Sequence, residues 1–223
     1  MIEEFVNFCR NNLDLNSAHY AQPQPYKSLS VCILDCVYSL RARYFSTTVP
    51  VVERYAAAYM NGDRFAAGDT LEDFMNNINA AGGYAAFASN VLHNNQRLAR
   101  QLKSQVCYEL ARKLRLLHIN TKEDFKNFDS VELLEIVINS VKGMGTAGLN
   151  YLFMLAGDPN RCKPDVHIHH CIRDACGRDV SDNECQTLLT DAVAVLRNDY
   201  QYLTVALLDS IIWQKYQIGN RNH

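Results

Sequence analysis

The stretch Ser140 to His170, SVKGMGTAGLNYLFMLAGDPNRCKPDVHIHH, sets Gly143 and Gly145 into an otherwise helical apolar pattern. Glycine adopts the positive φ of a tight reversal without strain. Val141-Lys142-Gly143-Met144-Gly145-Thr146 therefore reads as a hairpin between two helices. Helical spacing continues from Ala147 to Ala156, Gly157-Asp158-Pro159-Asn160 reads as a turn, and the pattern resumes over Val166 to Cys176 before Gly177. Asp165 stands between Pro164 and that last run, where a carboxylate accepts the first unpaired N–H groups of a helix.

Outward from this stretch the apolar residues keep helical rather than alternating spacing, so the chain reads as all-α. Ile2 to Leu15 predicts a short amphipathic helix with Ile2, Phe5, Val6 and Cys9 on one side, stopped by Ala21 to Tyr26, AQPQPY. Ser28 to Tyr44 is apolar on most faces and predicts a central buried helix ending in Arg41 and Arg43, bases that suit a helix C-terminus. Pro50 opens a helix closed by Gly62, and Thr70-Leu71-Glu72-Asp73 caps another to about Asn79, followed by a flexible turn to Tyr84. Asn95 to Ile119 predicts the longest helix. Leu98, Leu102, Val106, Leu110 and Leu117 share one side of it, and Arg97, Arg100, Arg112 and Arg115 form a basic stripe on the other. Asp129 to Glu132 and Ser181 to Glu184 have capping-box spacing, and Asp199 is expected to cap a last helix that carries Trp213 and ends near Gly219.

The organisation expected is two interlocked helical lobes, residues 26–160 with the hairpin and residues 1–25 plus 161–223, with the hairpin between them. At 223 residues, 48% hydrophobic and 21% charged, the chain buries a large core, which excludes a disordered protein. The acidic start MIEEFVNFCRNNLDL and the lack of any long apolar run exclude a secretory signal and a membrane partner, and predict a cytoplasmic protein, nucleoid-associated in a prokaryote. In that compartment Cys9, Cys32, Cys36 and Cys107 are reduced core thiols. A net charge of −2 argues against coating nucleic acid along the whole surface and leaves room for a local basic face.

A hairpin that presents successive N–H groups at a helix start can bind phosphate, because those donors lack intrahelical partners and the helix dipole favours an anion. Such contacts position DNA without reading its sequence. The plain alternative is a simple connection between two helices. Cys162, His167, His169, His170, Cys171 and Cys176 crowd together, yet without paired zinc-ligand spacings, so no metal is expected.

The pairing of VKGMGTAGLNYLFMLAG with KPDVHIHH resembles the helix-hairpin-helix DNA glycosylase superfamily, with its endonuclease III-like fold. That family's signature is a hairpin of the form LPGVG, a helix, a short loop and an aspartate in a context such as VDTH. Val141, Gly143, Met144 and Gly145 match the hairpin, Leu149 to Ala156 the helix, and Asp165 with His167 the aspartate context. Upstream, Val31 to Tyr44 looks like the helix before the loop that fills the vacancy of a flipped base.

The resemblance implies base excision from double-stranded DNA. A base is turned out of the duplex, and its N-glycosidic bond breaks through a cationic sugar that a carboxylate can stabilise. Asp165 is carried over into that role, which is compatible with plain N-capping. Bifunctional members carry a lysine just after the hairpin that attacks the sugar. Ala147 stands there, and Lys142 takes the place of the hairpin proline, so the implied enzyme is a monofunctional, monomeric glycosylase that uses water. The cysteine-bound iron–sulfur cluster of some relatives is not expected either, since no cysteine follows Cys185. No cofactor is implied.

Arg41 falls near the place of a duplex wedge, or is a solvated base. Tyr84 is a second wedge candidate, or part of a plain turn. His167 is expected in a structural or phosphate-near role, His169 and His170 at the surface or satisfied in the core, and Trp213, Tyr200 and Tyr202 in the core. Two rivals remain: a helix-hairpin-helix module that binds DNA without catalysis, and a helical scaffold for protein partners.

Overall fold

The computed structural model describes residues 1–16 and 24–219. The first half of the expected stop at Ala21 to Tyr26 lies outside them. The fold is all-α. Its helices are α1 (Ile2–Asn12), α2 (Leu29–Ser39), α3 (Val49–Tyr59), α4 (Leu71–Ala80), α5 (Tyr84–Ala86), α6 (Lys103–Leu116), α7 (Lys122–Lys126), α8 (Val131–Asn139), α9 (Gly145–Ala156), α10 (Val166–Cys176), α11 (Asp182–Leu196) and α12 (Val205–Gly219). None of the described helices is long and apolar enough to cross a membrane. The chain divides into two compact units, Met1–Pro23 with Asp158–His223, and Gln24–Gly157. The division falls at Gly157 rather than Asn160, where that glycine ends α9 in the left-handed region.

In the unit from Gln24 to Gly157, α2 is the centre, and all eleven of its residues are buried. It packs against α3, α6 and α9. Its start is capped by Ser28, whose Oγ accepts from Val31 N at 3.2 Å. The helix stops at Ser39, short of the expected Tyr44, because an ammonium group from α6 takes its last carbonyls. Lys103 Nζ donates to Tyr38 O at 2.9 Å and to Leu40 O at 2.8 Å. Arg41 then turns the chain at φ +54°, and a π-helical turn over Tyr44–Thr48 leads into α3, with Pro50 in its first turn.

The expected helix from Asn95 is corrected at its start: α6 begins at Lys103. Before it, Arg97–Leu98 and Gln101–Leu102 pair as a small antiparallel hairpin, whose turn residues Ala99 and Arg100 have φ of +49° and +72°. Both central residues of such a turn need positive φ, and neither is a Gly or Asn that would have announced it. The arginine stripe is accordingly not one helical face. Arg97 and Arg100 lie on the hairpin and Arg112 on α6, where Arg115 pairs with Glu72 at 3.2 Å. Capping boxes start α4 (Thr70 with Asp73) and α7 (Thr121 with Asp124), and Ser130 caps α8.

In the other unit, α1 buries Phe5, Val6 and Cys9 and leaves Ile2 exposed; it packs on α10 and α11. Ser181 and Glu184 form the capping box of α11. The last helix starts later than expected, capped by Thr204, whose Oγ1 accepts from Leu207 N at 3.1 Å. Asp199 instead pairs with Arg10 at 2.7 Å. Cys9, Cys32, Cys36 and Cys107 are all buried, and none of them is in a disulfide.

Candidate functional site

Asp165 is the N-cap of α10. Its Oδ1 accepts from His167 N at 2.8 Å and Ile168 N at 3.3 Å, so two first-turn donors and the helix dipole converge on one carboxylate oxygen. Its Oδ2 meets no donor among the described residues. The side chain is half-buried, which leaves that second oxygen able to face a water or a sugar. Asp165 N donates to Lys163 O at 2.7 Å, which tightens the loop around Pro164.

Two further bonds fix that loop. Cys162 N donates to Gln186 Oε1 at 2.9 Å, and Lys163 N donates to Asp209 Oδ1 at 2.8 Å. Asp209 sits on α12 at 7% exposure. Burial, and then the charge of Asp165, push its carboxyl well above the ordinary range, partly opposed by the Lys163 N–H bond. His167 packs its ring edge-on to Trp213, centroids 6.3 Å apart, and its Nδ1 is buried without a hydrogen-bond partner. His169 Nε2 lies 3.0 Å from Asp182 Oδ1. Among the described residues no group of three His, Cys, Asp or Glu is placed to hold a metal ion.

In the other unit, residues 140–144 reverse the chain between α8 and α9. Val141 and Met144 are buried anchors at 1% and 2% exposure, so their side chains cannot reach a ligand, and Met144 N is occupied by Val141 O at 3.2 Å. Of the six expected phosphate-binding residues, these two serve the fold. Lys142 and Gly145 are exposed and Thr146 half-buried. Among the described residues the N–H groups of Gly145, Thr146 and Ala147 find no acceptor, leaving the start of α9 open to an anion.

The two glycines differ. Gly143 has φ +103°, and a methyl there would lie 2.9 Å from Leu98 Cγ, so this glycine admits the Arg97–Leu102 hairpin rather than a ligand. Gly145 has φ +54° and nothing within 4 Å of an added methyl. It is the open position.

The first turn of α6 gathers the remaining candidates of this unit. Lys103 holds Leu40 O beside Arg41, Ser104 Oγ donates to Tyr84 O at 2.8 Å, and the hairpin leading into α6 sits on Gly143. Arg41, Arg43, Arg97, Arg100 and Lys142 are exposed and none is ion-paired among the described residues. Tyr84 is 40% exposed. A net-acidic chain thus carries a local basic surface here.

A model for a domain of unknown function, DUF8548, matches residues 3–217. The chain belongs to DUF8548. No curated protein and no solved structure matches it.

Sequence reading missed three features of this DUF8548 chain: Asp209, Lys103 and Asp35. Asp35, on α2, is fully buried and accepts from Tyr26 OH at 2.8 Å, Tyr44 OH at 2.8 Å and Tyr151 OH at 2.9 Å. A lone aspartate in an apolar helix was the available signal, since a buried carboxylate needs partners. Lys103 is 2% exposed, with Gln96 Oε1 at 3.0 Å as its third acceptor.

Proposed function

We propose that this DUF8548 chain is a monofunctional DNA glycosylase, which flips a modified, damaged or mismatched base out of double-stranded DNA and hydrolyses its N-glycosidic bond. The observation that carries this reading is Asp165. One of its oxygens is locked by two N–H donors at a helix start, and the other, on a half-buried residue, accepts no hydrogen bond among the described residues. An oriented carboxylate of this kind suits a reaction whose transition state is a cationic sugar.

In the proposed step the C1′–N bond breaks and its electron pair leaves with the base. Water bonds to C1′, Asp165 Oδ2 orients that water and takes its proton on the way to solvent, and the departing base takes up a proton from solvent at the nitrogen that left C1′. The products are the free base and an abasic site. Ala147 brings no amine to the place where bifunctional relatives of the resembled superfamily carry lysine, which favours water as nucleophile and an intact strand. The open N–H groups of Gly145 and Thr146, with Lys142, are assigned to a backbone phosphate, and Arg41 and Tyr84 to the space left by the flipped nucleotide. The protein is taken to act as a monomer in the cytoplasm.

The test is incubation with duplexes carrying alkylated purines, oxidised bases, mismatches or bulky modified pyrimidines, with released bases read by mass spectrometry and abasic sites by alkali cleavage. Base release with an uncleaved strand before alkali supports the reading. The exposed hairpin and its basic surroundings alone would also fit a module that binds DNA without catalysis. That alternative predicts salt-sensitive duplex binding and no alkali-labile sites on any duplex.

A further inference from the structure

We propose that Asp209 is a positioning residue for Asp165, its buried carboxyl anchoring from α12 the Cys162–Asp165 loop that sets where the free oxygen of Asp165 points. The inference rests on the glycosylase reading for its consequence and on the unit's own geometry for its substance.

The loop is short and contains Pro164, which cannot donate a backbone hydrogen bond. Its N–H groups are distributed to three places. Cys162 N goes to Gln186 on α11, Lys163 N to Asp209 on α12, and Asp165 N back to Lys163 O. Two of these anchors come from helices distant in sequence, so the position of Asp165 depends on how α11 and α12 are held. α12 packs on both α10 and α11. On the helix side Asp165 is fixed by His167 N and Ile168 N. Asp209 supplies the loop-side constraint closer to Asp165 in sequence, and without it that side is held from another helix only through Cys162 N and Gln186.

An aspartate is an unusual choice for an anchor that only needs an acceptor, because burying a second acid beside the first is costly. The cost is reduced when Asp209 is neutral, which burial and the nearby charge of Asp165 both favour. The ionisable groups around it are Lys163 and Asp165, with Cys162, whose thiol burial and Asp209 push up. A neutral Asp209 adds no second negative charge beside the remaining oxygen of Asp165, Oδ2.

Asparagine at 209 offers the same carbonyl oxygen to Lys163 N and cannot ionise. Alanine removes the anchor. The test compares wild type, Asp209→Ala and Asp209→Asn, on a duplex from which wild type releases a base and by hydrogen exchange of the Lys163 amide. The expected results are a single-turnover rate about 10- to 100-fold lower for Asp209→Ala with unchanged duplex affinity, and recovery of at least tenfold of that loss in Asp209→Asn. Wild type should lose activity as pH rises and Asp209 ionises, and Asp209→Asn should not. The Lys163 amide should exchange at least tenfold faster in Asp209→Ala than in Asp209→Asn. A rate and an exchange pattern in Asp209→Ala equal to wild type overturn the proposal, as does an Asp209→Asn enzyme as slow as Asp209→Ala. If wild type releases no base from any duplex, the glycosylase reading fails, and the amide exchange still decides whether Asp209 anchors the loop.

Discussion

Gly143→Ala is the perturbation whose cost can be worked most closely from the structure. The added methyl would lie 2.9 Å and 3.1 Å from Cγ and Cδ2 of Leu98, and 3.4 Å from Ala99 Cβ, at a φ of +103°. A left-handed backbone costs a residue with a Cβ about 1–2 kcal/mol, and forcing an extra methyl into a packed contact costs about 1–3 kcal/mol. The expected loss is therefore about 2–5 kcal/mol, a large share of the roughly 5–15 kcal/mol that holds a domain folded. Gly145→Ala is the internal control, since at φ +54° with nothing within 4 Å it carries only the backbone cost, about 1–2 kcal/mol. Urea unfolding followed by circular dichroism measures both, compared at equal m-value. In a Leu98→Ala background Gly143→Ala should cost less than it does in wild type, because the atoms that the methyl strikes are gone. Equal destabilisation by the two glycine substitutions, with no coupling to Leu98, would refute the assignment of Gly143 to packing and Gly145 to the open face.

Three further outcomes are expected. Lys103→Met leaves the carbonyls of Tyr38 and Leu40 without their donor and should cost about 2–4 kcal/mol; it should also weaken duplex affinity in fluorescence anisotropy as the Arg41 turn loosens, and a wild-type melt with wild-type affinity would contradict it. Asp35→Ala removes the acceptor shared by three tyrosyl hydroxyls and should cost about 3–5 kcal/mol in chemical denaturation, where a loss below about 1 kcal/mol would contradict the network. For pH, burial and then Asp165 raise the Asp209 carboxyl, so its stability contribution is full below the unfolded value of about 4 and is lost as pH rises toward the raised one. Asp73 and Asp124, lowered mainly by Thr70 and by the Asn120 N–H, act in the opposite sense and lose theirs as pH falls below about 4. Urea midpoints from pH 3 to 9 should therefore decline less steeply above about pH 4 for Asp209→Asn than for wild type, and parallel profiles would count against this.

What the sequence made legible was local. Thr70, Asp165 and Ser181 cap the helices they were read to cap, because an N-cap needs only its own side chain and N–H groups two or three residues on; the box read over Asp129 to Glu132 is displaced by one residue, with Ser130 as the cap of α8. Gly157 and Gly177 end helices for the same local reason. The Arg97–Leu102 hairpin was hidden because Leu98, Leu102 and Val106 keep helical spacing straight through it, and Ala99 and Arg100 carry no turn signal. The break after Ser39 was hidden because its cause, Lys103, is more than sixty residues away. Asp209 was invisible for the same reason, since its partner Lys163 is 46 residues upstream. The two candidate sites were thus readable, one as a capped acid and the other as a glycine turn, while the groups that position each depend on contacts made only in the folded chain.

The central claim is that Asp165 takes part in base release, and Asp165→Asn tests it most directly. Asparagine is as good an N-cap as aspartate, so its amide oxygen can accept from His167 N and Ile168 N and the fold should persist, while the charge next to the sugar is gone. On a duplex from which the wild-type protein releases a base, the single-turnover rate should fall about 10²- to 10⁴-fold with duplex affinity retained. Undiminished base release by a folded Asp165→Asn protein would contradict the account.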